Sequence, residues 1–318
     1  MKILVADKLA PAVAPALKAM EMELVSAVGL KGPDLTAKIA ETQPEVVIVR
    51  STKVTAADID AAATLKLVIR AGAGVNTIDV AAATAKKVMV ANTPGKNSIA
   101  VAELAMGHLL NLDRRIADNV ATVRGHKWDK KTFGAGRGLY GRTLAVLGCG
   151  AIGCELIKRA QAFGMNIVAW SKDFAIAPEV LGVKVAATIE EAVAQADAVS
   201  VHLALVPATK GLIGKSVFEA MKPGAYFINT ARAEVVDEAA MVDAIEKKAI
   251  RVGTDVYSNE PAQAQAEFNH PLADHPWIYG THHIGASTEQ AEESVGEEVV
   301  RIVAEMKAGR PVPNVVNK

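Results

Sequence analysis

The sequence predicts an α/β protein made of two doubly wound parallel-sheet domains, Rossmann-like or flavodoxin-like. Three observations predict this class. Short β-branched runs alternate with alanine-rich helical stretches, a pattern typical of parallel strands joined by right-handed crossovers. The 318 residues correspond to two domains of about 150 residues each. A second strand–helix series begins at Thr143, and a glycine-rich turn follows its first strand after Leu147.

The elements of each series are assigned from their apolar patterns. The first series has predicted strands at Ile3–Ala6, Glu23–Ala27, Glu45–Arg50, Leu67–Arg70 and Val88–Ala91. The second has predicted strands at Thr143–Leu147, Ile167–Trp170, Ala198–Ala204, Ala225–Thr230, Val252–Val256 and Trp277–His282. Between the two series, one long helix is expected from Asn97 or Ser98 to about Arg124, because Gly125 ends the pattern.

The composition excludes several classes of function. Lysines and arginines number 35 and aspartates and glutamates 35, so the formal net charge is zero. No basic excess is available for a nucleic-acid backbone or an anionic membrane surface, and neither partner is expected. The two cysteines, Cys149 and Cys154, are too few for a disulfide framework or a four-ligand zinc site, so no metal is expected. No signal peptide is evident, and a cytoplasmic protein is predicted.

The glycine-rich turn has the pattern of a dinucleotide-binding site. Gly148, Gly150 and Gly153 form a G-x-G-x-x-G that directly follows a predicted strand and opens a predicted helix, the context that the motif requires. The first glycine permits the tight turn, the second lets the backbone approach a pyrophosphate, and the third allows close helix–strand packing. The helix N-terminus at Ala151 and Ile152 offers free N–H groups to the anion. NAD or NADP is therefore the expected cofactor.

The position that selects between these two cofactors carries an unusual residue. An acidic residue at the end of the next strand binds the adenosine ribose in folds of this type. Here that position holds Ser171, followed by Lys172, a pair that would not repel a 2′-phosphate and could attract it. Asp173, two residues further on, could still reach the ribose. Both cofactors stay open, with NAD favoured.

Polar residues follow three predicted strands of the second series, where ligands of open α/β sheets bind. Arg232 follows one strand, Glu260 follows the next, beyond Asp255, and His283 follows the last. Histidine titrates in the range needed to exchange a proton with a hydroxyl group. A neighbouring carboxylate would favour its protonated form and fix its orientation, and an arginine can hold a substrate carboxylate through two hydrogen bonds. These three residues are the predicted catalytic set for a hydride transfer.

The same segments resemble the active-site motifs of the D-isomer-specific 2-hydroxyacid dehydrogenases, and the resemblance runs nearly end to end. The three motifs are Asn229–Arg232, Asp255–Pro261 and His283–Thr288. Other segments are most similar to the D-3-phosphoglycerate dehydrogenase branch of that family: Val49–Thr55, Arg70–Val75, Asn92–Pro94, Lys127–Phe133 and Val315–Asn317. Longer members of this branch carry regulatory domains, for which the chain is too short, so serine feedback through such a domain is not expected.

The resemblance implies a role for each matched residue. Arg232 would bind the substrate carboxylate and carbonyl, His283 would be the general acid/base, and Glu260 would pair with it. Asp255 would hold the nicotinamide carboxamide, and further cofactor contacts would come from His202, Thr230, Ala231 and Gly285. The substrate side would be lined by Arg50, Ser51, Ala73, Gly74 and Val75.

The resemblance also implies a discontinuous domain arrangement and a homodimer. A substrate-binding domain would comprise residues 1–98 and 287–318, with a dinucleotide-binding domain, residues 99–286, inserted between them. The long first helix of the inserted domain would help to form the dimer. One departure from the family pattern leaves a choice of histidine: His282 stands where a proline usually precedes the catalytic residue, and His283 is favoured.

The expected activity is that of an NAD(P)-dependent oxidoreductase acting on a small D-2-hydroxy acid. The most specific prediction is the conversion of 3-phosphoglycerate to 3-phosphohydroxypyruvate in serine biosynthesis, with cations for the phosphate from Arg50, Lys53, Lys130 and Lys131. The alternative is a reductase for glyoxylate, hydroxypyruvate or another 2-keto acid, motivated by Ser171. A third reading, a non-enzymatic dinucleotide-sensing protein, is disfavoured by the intact arginine–glutamate–histidine set.

Overall fold

The computed structural model describes residues 1–261 and 265–317. This part of the chain divides into two compact units. The discontinuous unit consists of Met1–Asn97 together with the residues from Ser287 onward, and the inserted unit is Ser98–Ala286. These limits lie within one residue of the domain boundaries that the resemblance implies, while the binding roles of the two units stay predictions.

The sheet of the discontinuous unit is parallel. Among the described residues it has five strands, in the order β2-β1-β3-β4-β5. The strands are β1 Lys2–Val5, β2 Glu23–Ser26, β3 Val46–Val49, β4 Leu67–Arg70 and β5 Met89–Asn92. The strand order changes direction between β1 and β3, so the loops that follow these strands border the crevice where such sheets bind ligands.

Helices cover both faces of this sheet. One face carries α2 Pro33–Thr42, α3 Ala56–Asp60 and α4 Val80–Ala85. The other face carries α1 Val13–Ala19 and the C-terminal helix, α13 Glu289–Lys307. Successive side chains of β3 alternate between the two cores, with Val47 and Val49 in the first and Val46 and Ile48 in the second. All four are buried because the strand is covered on both sides.

The sheet of the inserted unit is also parallel, and over the described part of the unit its strand order is β12-β11-β10-β9-β6-β7-β8. The strands are β6 Thr143–Cys149, β7 Asn166–Phe174, β8 Lys184–Val185, β9 Ala198–Val201, β10 Tyr226–Asn229, β11 Arg251–Thr254 and β12 Ile278–Gly280. The order reverses between β6 and β9, the point at which doubly wound sheets bind dinucleotides.

Helices also lie on both faces of the second sheet. In chain order they are α5 Ser98–Arg114, α6 Ile116–Arg124, α7 Lys130–Phe133, α8 Ala151–Ala162, α9 Pro178–Leu181, α10 Ile189–Gln195, α11 Lys215–Ala220 and α12 Glu238–Lys248, with a 3₁₀ turn at Ala233–Val235. Helices α5 and α8 pack on one face, and α10, α11 and α12 on the other. The predicted α/β fold class is confirmed. No helix in residues 1–261 and 265–317 is both long and apolar enough to cross a membrane.

The segment after residue 97 forms two helices, so the expectation of one long helix is wrong. Arg115 has a φ of +49° and separates α5 from α6. The side-chain oxygen of Asn111 accepts a hydrogen bond from the Ala117 N–H (2.8 Å), and the Arg115 guanidinium donates one to Asp118 (3.0 Å). These polar side chains stabilise the break, which the apolar pattern does not reveal.

Candidate active site

The glycine-rich turn after β6 packs so closely on neighbouring backbone that two of its positions have no room for a side chain. Gly148 has a φ of +97°, and a Cβ atom there would lie 2.7 Å from the carbonyl oxygen of His202. A Cβ on Gly153 would lie 2.1 Å from the carbonyl oxygen of Gly148, so the first turn of α8 packs directly on the strand. Around Gly150, a Cβ would meet no atom of the described residues within 4 Å beyond its chain neighbours. The backbone at Gly150 therefore borders open space at the start of α8, which suits the close approach of a pyrophosphate.

Strand β7 supports this turn from the neighbouring position in the sheet. It continues to Phe174, so Ser171 lies within the strand rather than after it. The Ser171 hydroxyl accepts a hydrogen bond from the N–H of the buried Cys149 (3.1 Å) and donates one to the carbonyl oxygen of Asp173. The side chains of Lys172 and Asp173 are exposed. Of the three positions considered for the ribose, the two charged ones are exposed, whereas Ser171 is half-buried and its hydroxyl is hydrogen-bonded to the backbone.

Two buried polar atoms at this edge of the sheet lack a hydrogen-bond partner within the described residues: Nδ1 of His202 and Oγ1 of Thr230. They follow the adjacent strands β9 and β10. Burial lowers the pKa of His202 to about 4, so its ring is neutral at pH 7, and its Nε2 lies 2.9 Å from the Ser200 hydroxyl. An unpaired buried polar group costs roughly 1–3 kcal/mol. The open turn and these two atoms fit a bound dinucleotide that supplies the missing partners.

Arg232 follows β10 on a short loop that is fixed by Asn229. The Asn229 side chain accepts a hydrogen bond from the Ala231 N–H (3.0 Å) and donates one to the carbonyl oxygen of Arg232 (3.0 Å). The half-buried guanidinium of Arg232 donates one hydrogen bond to the Ala231 carbonyl oxygen (2.6 Å). Because a guanidinium has five N–H donors, this contact leaves donors enough to hold a carboxylate.

His283 and Glu260 form a hydrogen-bonded pair. Nδ1 of His283 lies 2.7 Å from Oε2 of Glu260, whose Oε1 accepts a hydrogen bond from the Tyr257 N–H (2.9 Å). Burial acts to raise the pKa of Glu260, but the hydrogen bonds from His283 and Tyr257 and the charge of Arg232 outweigh it, so the pKa lies below its ordinary value. Glu260 is therefore a carboxylate that accepts the Nδ1 proton, and Nε2 is left for a ligand. The neighbouring His282 is exposed.

Asp255 is 1% exposed, and its carboxylate binds the loop that carries His283. Oδ1 accepts hydrogen bonds from the Thr281 hydroxyl (2.6 Å) and the Ile284 N–H (2.9 Å), and Oδ2 accepts one from the Gly285 N–H (2.8 Å). His283 itself has a φ of +51°, which is uncommon for a residue other than glycine. Asp255 thus supports this loop, and its expected contact with the nicotinamide carboxamide stays a prediction.

Comparison with known proteins identifies the family. A model described as D-isomer specific 2-hydroxyacid dehydrogenase, NAD binding domain, matches residues 106–285, more than half of the chain. The chain belongs to the D-isomer specific 2-hydroxyacid dehydrogenase family. The matched segment lies inside the inserted unit, and it confirms the resemblance and the NAD-type cofactor expected from the glycine pattern.

The chain is also similar to individual proteins over nearly its whole length. The D-3-phosphoglycerate dehydrogenase of Methanocaldococcus jannaschii is 40% identical over 100% of this chain, which spans 59% of that protein. The crystal structure of the TT0316 protein from Thermus thermophilus has a TM-score of 0.88 and 31% identity, over 99% of this chain and 100% of that one. A glyoxylate reductase from Paecilomyes thermophila has a TM-score of 0.86 and 29% identity, over 99% and 98% of the two chains.

The first residues expected on the substrate side, Arg50 and Ser51, follow β3 in the discontinuous unit. The Asp7 carboxylate accepts hydrogen bonds from the N–H groups of Arg50 (2.6 Å), Ser51 (3.0 Å) and Thr52 (2.9 Å). Burial acts to raise the pKa of Asp7, but these hydrogen bonds outweigh it and hold the pKa below its ordinary value. The Arg50 guanidinium binds the carboxylate of Glu292 at 2.8 Å.

The other expected substrate-side residues, Ala73, Gly74 and Val75, form a half-buried loop after β4. The side-chain amide of Asn92 donates a hydrogen bond to the Ala73 carbonyl oxygen (2.5 Å), and the Ile78 N–H donates one to that of Val75 (3.0 Å). Strands β3 and β4 are neighbours. The unit therefore brings all five expected residues to one edge of its sheet.

Three residues that make hydrogen bonds at or next to these sites escaped the sequence analysis: Asp7, Thr281 and His108, whose Nε2 lies 3.2 Å from the Thr281 hydroxyl oxygen. Asp7 and Thr281 follow strands β1 and β12, so the rule about strand ends could have found them. His108 is a polar residue among the buried apolar residues of α5, which is visible as a break in the helical pattern. In residues 1–261 and 265–317, no group of three or more His, Cys, Asp or Glu side chains is arranged to hold a metal ion.

Proposed function

We propose that this protein is an NAD-dependent D-3-phosphoglycerate dehydrogenase, which oxidises 3-phosphoglycerate to 3-phosphohydroxypyruvate in serine biosynthesis. The observation that carries the proposal is the His283–Glu260 pair, 2.7 Å apart, at the edge of the sheet that also carries the glycine turn. The 40% identity to the Methanocaldococcus jannaschii enzyme supports the choice of substrate. Because this chain spans 59% of that relative, the activity needs to be measured on this chain.

In this reaction the chain binds the acid and moves one proton. Arg232 binds the substrate carboxylate through two parallel N–H···O bonds. Nε2 of His283 accepts the proton of the C2 hydroxyl, and Glu260 stabilises the resulting imidazolium through Nδ1. When bound, NAD supplies the acceptor for the hydride that leaves C2. The alcohol thus becomes a ketone by losing one proton and one hydride.

The cofactor would be held by the inserted unit. The glycine turn and the start of α8 would bind the pyrophosphate, and His202 and Thr230 would gain partners for their buried polar atoms. The full proposed set is Gly148, Gly150, Ala151, Ile152, Gly153, Ser171, Lys172, His202, Thr230, Ala231, Asp255 and Gly285. NAD is favoured over NADP because the exposed Asp173 carboxylate can accept hydrogen bonds from a ribose and would repel a 2′-phosphate.

The test is the initial rate of reduction of phosphohydroxypyruvate, hydroxypyruvate and glyoxylate, each with NADH and with NADPH. We expect kcat/KM to be highest for phosphohydroxypyruvate with NADH, by about tenfold or more, because an ionic contact to the phosphate adds about 1.4 kcal/mol or more. A preference for an unphosphorylated acid would overturn the substrate assignment. No turnover of any 2-keto acid, together with tight binding of NADH, would favour a sensing protein.

Arg50 is the proposed phosphate ligand in the discontinuous unit. Arg50→Ala should raise KM for phosphohydroxypyruvate by about tenfold or more, because a charge-assisted contact is lost, and should change KM for glyoxylate much less. Lys53, Lys130 and Lys131, the other predicted phosphate cations, are exposed. Lys18 is also exposed and lies outside this group, so Lys18→Ala serves as the matched control for the loss of one positive charge. An Arg50→Ala enzyme that turns over the phosphorylated substrate as well as the parent would contradict this role.

A reductase for glyoxylate or hydroxypyruvate is the second candidate. Arg50 is paired with Glu292, so its charge is already partly neutralised, which favours a substrate without a phosphate. The glyoxylate reductase of Paecilomyes thermophila has a fold with a TM-score of 0.86 to this chain. The substrate panel above separates the two candidates.

A homodimer in the cytoplasm is the proposed assembly and location. The exposed side chains of Ile116, Val120 and Val123 in α6 recur at helical spacing and give this helix an apolar stripe. A second copy of the chain is the proposed occupant of this stripe. Free thiols at Cys149 and Cys154 are typical of a reducing compartment. Cell fractionation would test the location.

A further inference from the structure

Helix α5 buries a histidine that the proposed reaction does not use. His108 is 5% exposed and shares the buried side of the helix with Ala105, Leu109 and Leu112. Its Nε2 lies 3.2 Å from the hydroxyl oxygen of Thr281. Burying a histidine without a hydrogen-bond partner destabilises the folded protein, so the contact with Thr281 offsets part of that cost.

The direction of the hydrogen bonds around Thr281 is determined by its single hydroxyl proton. That proton is donated to Oδ1 of Asp255, 2.6 Å away, because an ionised carboxylate can only accept. The Thr281 oxygen must then accept from His108, which places a proton on Nε2. Burial lowers the pKa of His108 more strongly than the charge of Asp255 raises it, so the neutral ring with the proton on Nε2 is favoured.

The chain of hydrogen bonds ends on the backbone at His283. The Asp255 carboxylate accepts from the N–H groups of Ile284 (2.9 Å) and Gly285 (2.8 Å), the two residues after the histidine. The left-handed φ of +51° at His283 is sparsely populated and persists only where the surroundings enforce it. The hydrogen bonds from His108 to Thr281 and from Thr281 to Asp255 hold the Asp255 carboxylate in place. This carboxylate in turn holds the backbone at His283 in its left-handed conformation.

Strand β11 leaves room for the imidazole. A Cβ atom at Gly253 would lie 2.9 to 3.0 Å from three atoms of the His108 side chain, tighter than ordinary van der Waals contact. The absence of a side chain at this position lets the His108 ring lie against the strand that ends beside Asp255. Helix α5, strand β11 and the loop that carries Thr281 thus all accommodate the hydrogen bond between His108 and Thr281.

We propose that His108 is a positioning residue, which holds the loop of His283 in its active conformation through Thr281 and Asp255. The part of this inference that concerns activity depends on the proposed function, since it takes His283 as the acid/base. The part that concerns the loop does not depend on any substrate or cofactor.

The first experiment therefore measures amide hydrogen exchange at Ile284 and Gly285 in the unliganded protein. His108→Leu removes the donor at similar volume, and we expect exchange at both amides to become about tenfold faster as the loop opens more often. His108→Gln retains an N–H donor near the position of Nε2 and should keep exchange within about threefold of the parent. Thr281→Val breaks the same chain of bonds from the other end and should match His108→Leu.

A matched control separates positioning from loss of stability. Leu109→Ala shortens a buried side chain one position along α5 and lowers the melting temperature without touching the hydrogen bonds. If Leu109→Ala accelerates exchange at Ile284 and Gly285 as much as His108→Leu does, the positioning role is overturned. It is also overturned if His108→Leu leaves exchange at both amides within twofold of the parent, whatever the result for Thr281→Val.

The second experiment is kinetic. With the preferred 2-keto acid of the parent enzyme, His108→Leu should lower kcat about fivefold and change KM less than twofold, because a misplaced acid/base slows the chemical step rather than binding. His108→Gln should restore kcat. If the parent turns over no 2-keto acid, the proposed function fails, but the exchange result at Ile284 and Gly285 still decides whether His108 holds the loop.

Discussion

The imidazole of His283 has two nitrogens, and each has a separate role in the proposed reaction. Nδ1 donates its proton to Glu260 at 2.7 Å, which fixes the tautomer and the plane of the ring. Because the pKa of Glu260 lies below its ordinary value, this carboxylate persists across the neutral range. The ring can therefore take up a hydroxyl proton at Nε2 without first rotating.

Replacing His283 by Asn should lower kcat by about 10²- to 10⁴-fold, because the reaction loses its proton acceptor. Glu260→Gln should also lower kcat, by up to about 10⁴-fold, since the imidazole is present but loses its anionic partner. The dissociation constant of NADH, followed by fluorescence, should stay within about threefold in both variants, because neither side chain serves dinucleotide binding. His282→Asn is the control, and an equal loss in that variant would contradict the assignment of His283.

Asp7 is a single residue whose ionisation stabilises the discontinuous unit. Its pKa in the folded state lies below the ordinary value of 3.8. A carboxyl group of this kind contributes stability that is fully present above its unfolded pKa and is lost as the pH falls through its folded pKa. The folded state favours the ionised form of Asp7 because its carboxylate accepts hydrogen bonds from five donors, which are three N–H groups and the hydroxyls of Ser51 and Thr52.

Asp7→Asn should therefore lower the free energy of unfolding by about 2 kcal/mol at pH 7. The difference from the parent should be constant down to about pH 5 and shrink as the pH falls below about 4. Urea unfolding at a series of pH values measures this difference. Asp274→Asn, at an exposed position, should change the free energy of unfolding by less than about 0.5 kcal/mol at any pH. A difference at position 7 that grows toward acid pH would have the wrong sign.

At the level of elements, two glycines at the start of α8 are expected to serve different purposes, one in folding and the other in ligand binding. The Cβ that Gly153 lacks would collide with Gly148, 2.1 Å away, whereas one on Gly150 would enter open space. Gly153 is thus required for α8 to pack on β6. A glycine at position 150 is required only if a ligand occupies the space in front of the helix.

Gly153→Ala should lower both the melting temperature and the affinity for NADH. Gly150→Ala should leave the melting temperature within about 2 °C of the parent and weaken NADH binding by about tenfold or more, since its methyl group points to the pyrophosphate site. Differential scanning fluorimetry and NADH titration of the two variants distinguish these effects. Unchanged NADH affinity in Gly150→Ala would place the pyrophosphate elsewhere.

Over the whole molecule, the sequence predicted the features that follow from local chemistry. The five strands of the first sheet and the position of the glycine turn could be read from buried β-branched runs and from Gly148, Gly150 and Gly153. The break at Arg115 could not, because it depends on the hydrogen bond that Asn111 accepts from the Ala117 N–H and on the one that Arg115 donates to Asp118. The continuation of β7 past Ser171 could not either, since it is stabilised by pairing of Phe174 with Cys149, a contact between distant segments.

The proposed catalytic pair, Glu260 and His283, was likewise only partly predictable from local sequence patterns. Strand ends indicated Glu260 and His283 separately, and the geometry adds that Nδ1, not Nε2, contacts the carboxylate. The support by Asp255 was beyond prediction because its three donors come from the loop after β12, and no local pattern reports where a loop folds back. The sequence thus indicated candidate residues one at a time, whereas their hydrogen-bond directions required the fold, and their roles in catalysis stay predictions.

The proposed homodimer is a property of the whole molecule, and α6 provides its test. Val120 and Val123 are 41% and 54% exposed, and burying their apolar area against a second copy would stabilise the pair. The double substitution Val120→Glu with Val123→Glu should convert the protein to a monomer in sedimentation velocity, because it places charges in an apolar interface. Val180→Glu, at a 78% exposed position of α9, is the control and should keep the parent's sedimentation coefficient. A parent that is itself monomeric would refute the dimer.

The burial of the two cysteines has a practical consequence for labelling. Burial raises the pKa of the Cys149 thiol to about 12 and also raises that of Cys154, and the thiolate is the form that reacts with maleimides and iodoacetamides. Neither native thiol should therefore react near neutral pH. A cysteine introduced at the exposed position of Val180 would carry a fluorophore or spin label as a single reporter, with both native cysteines left in place.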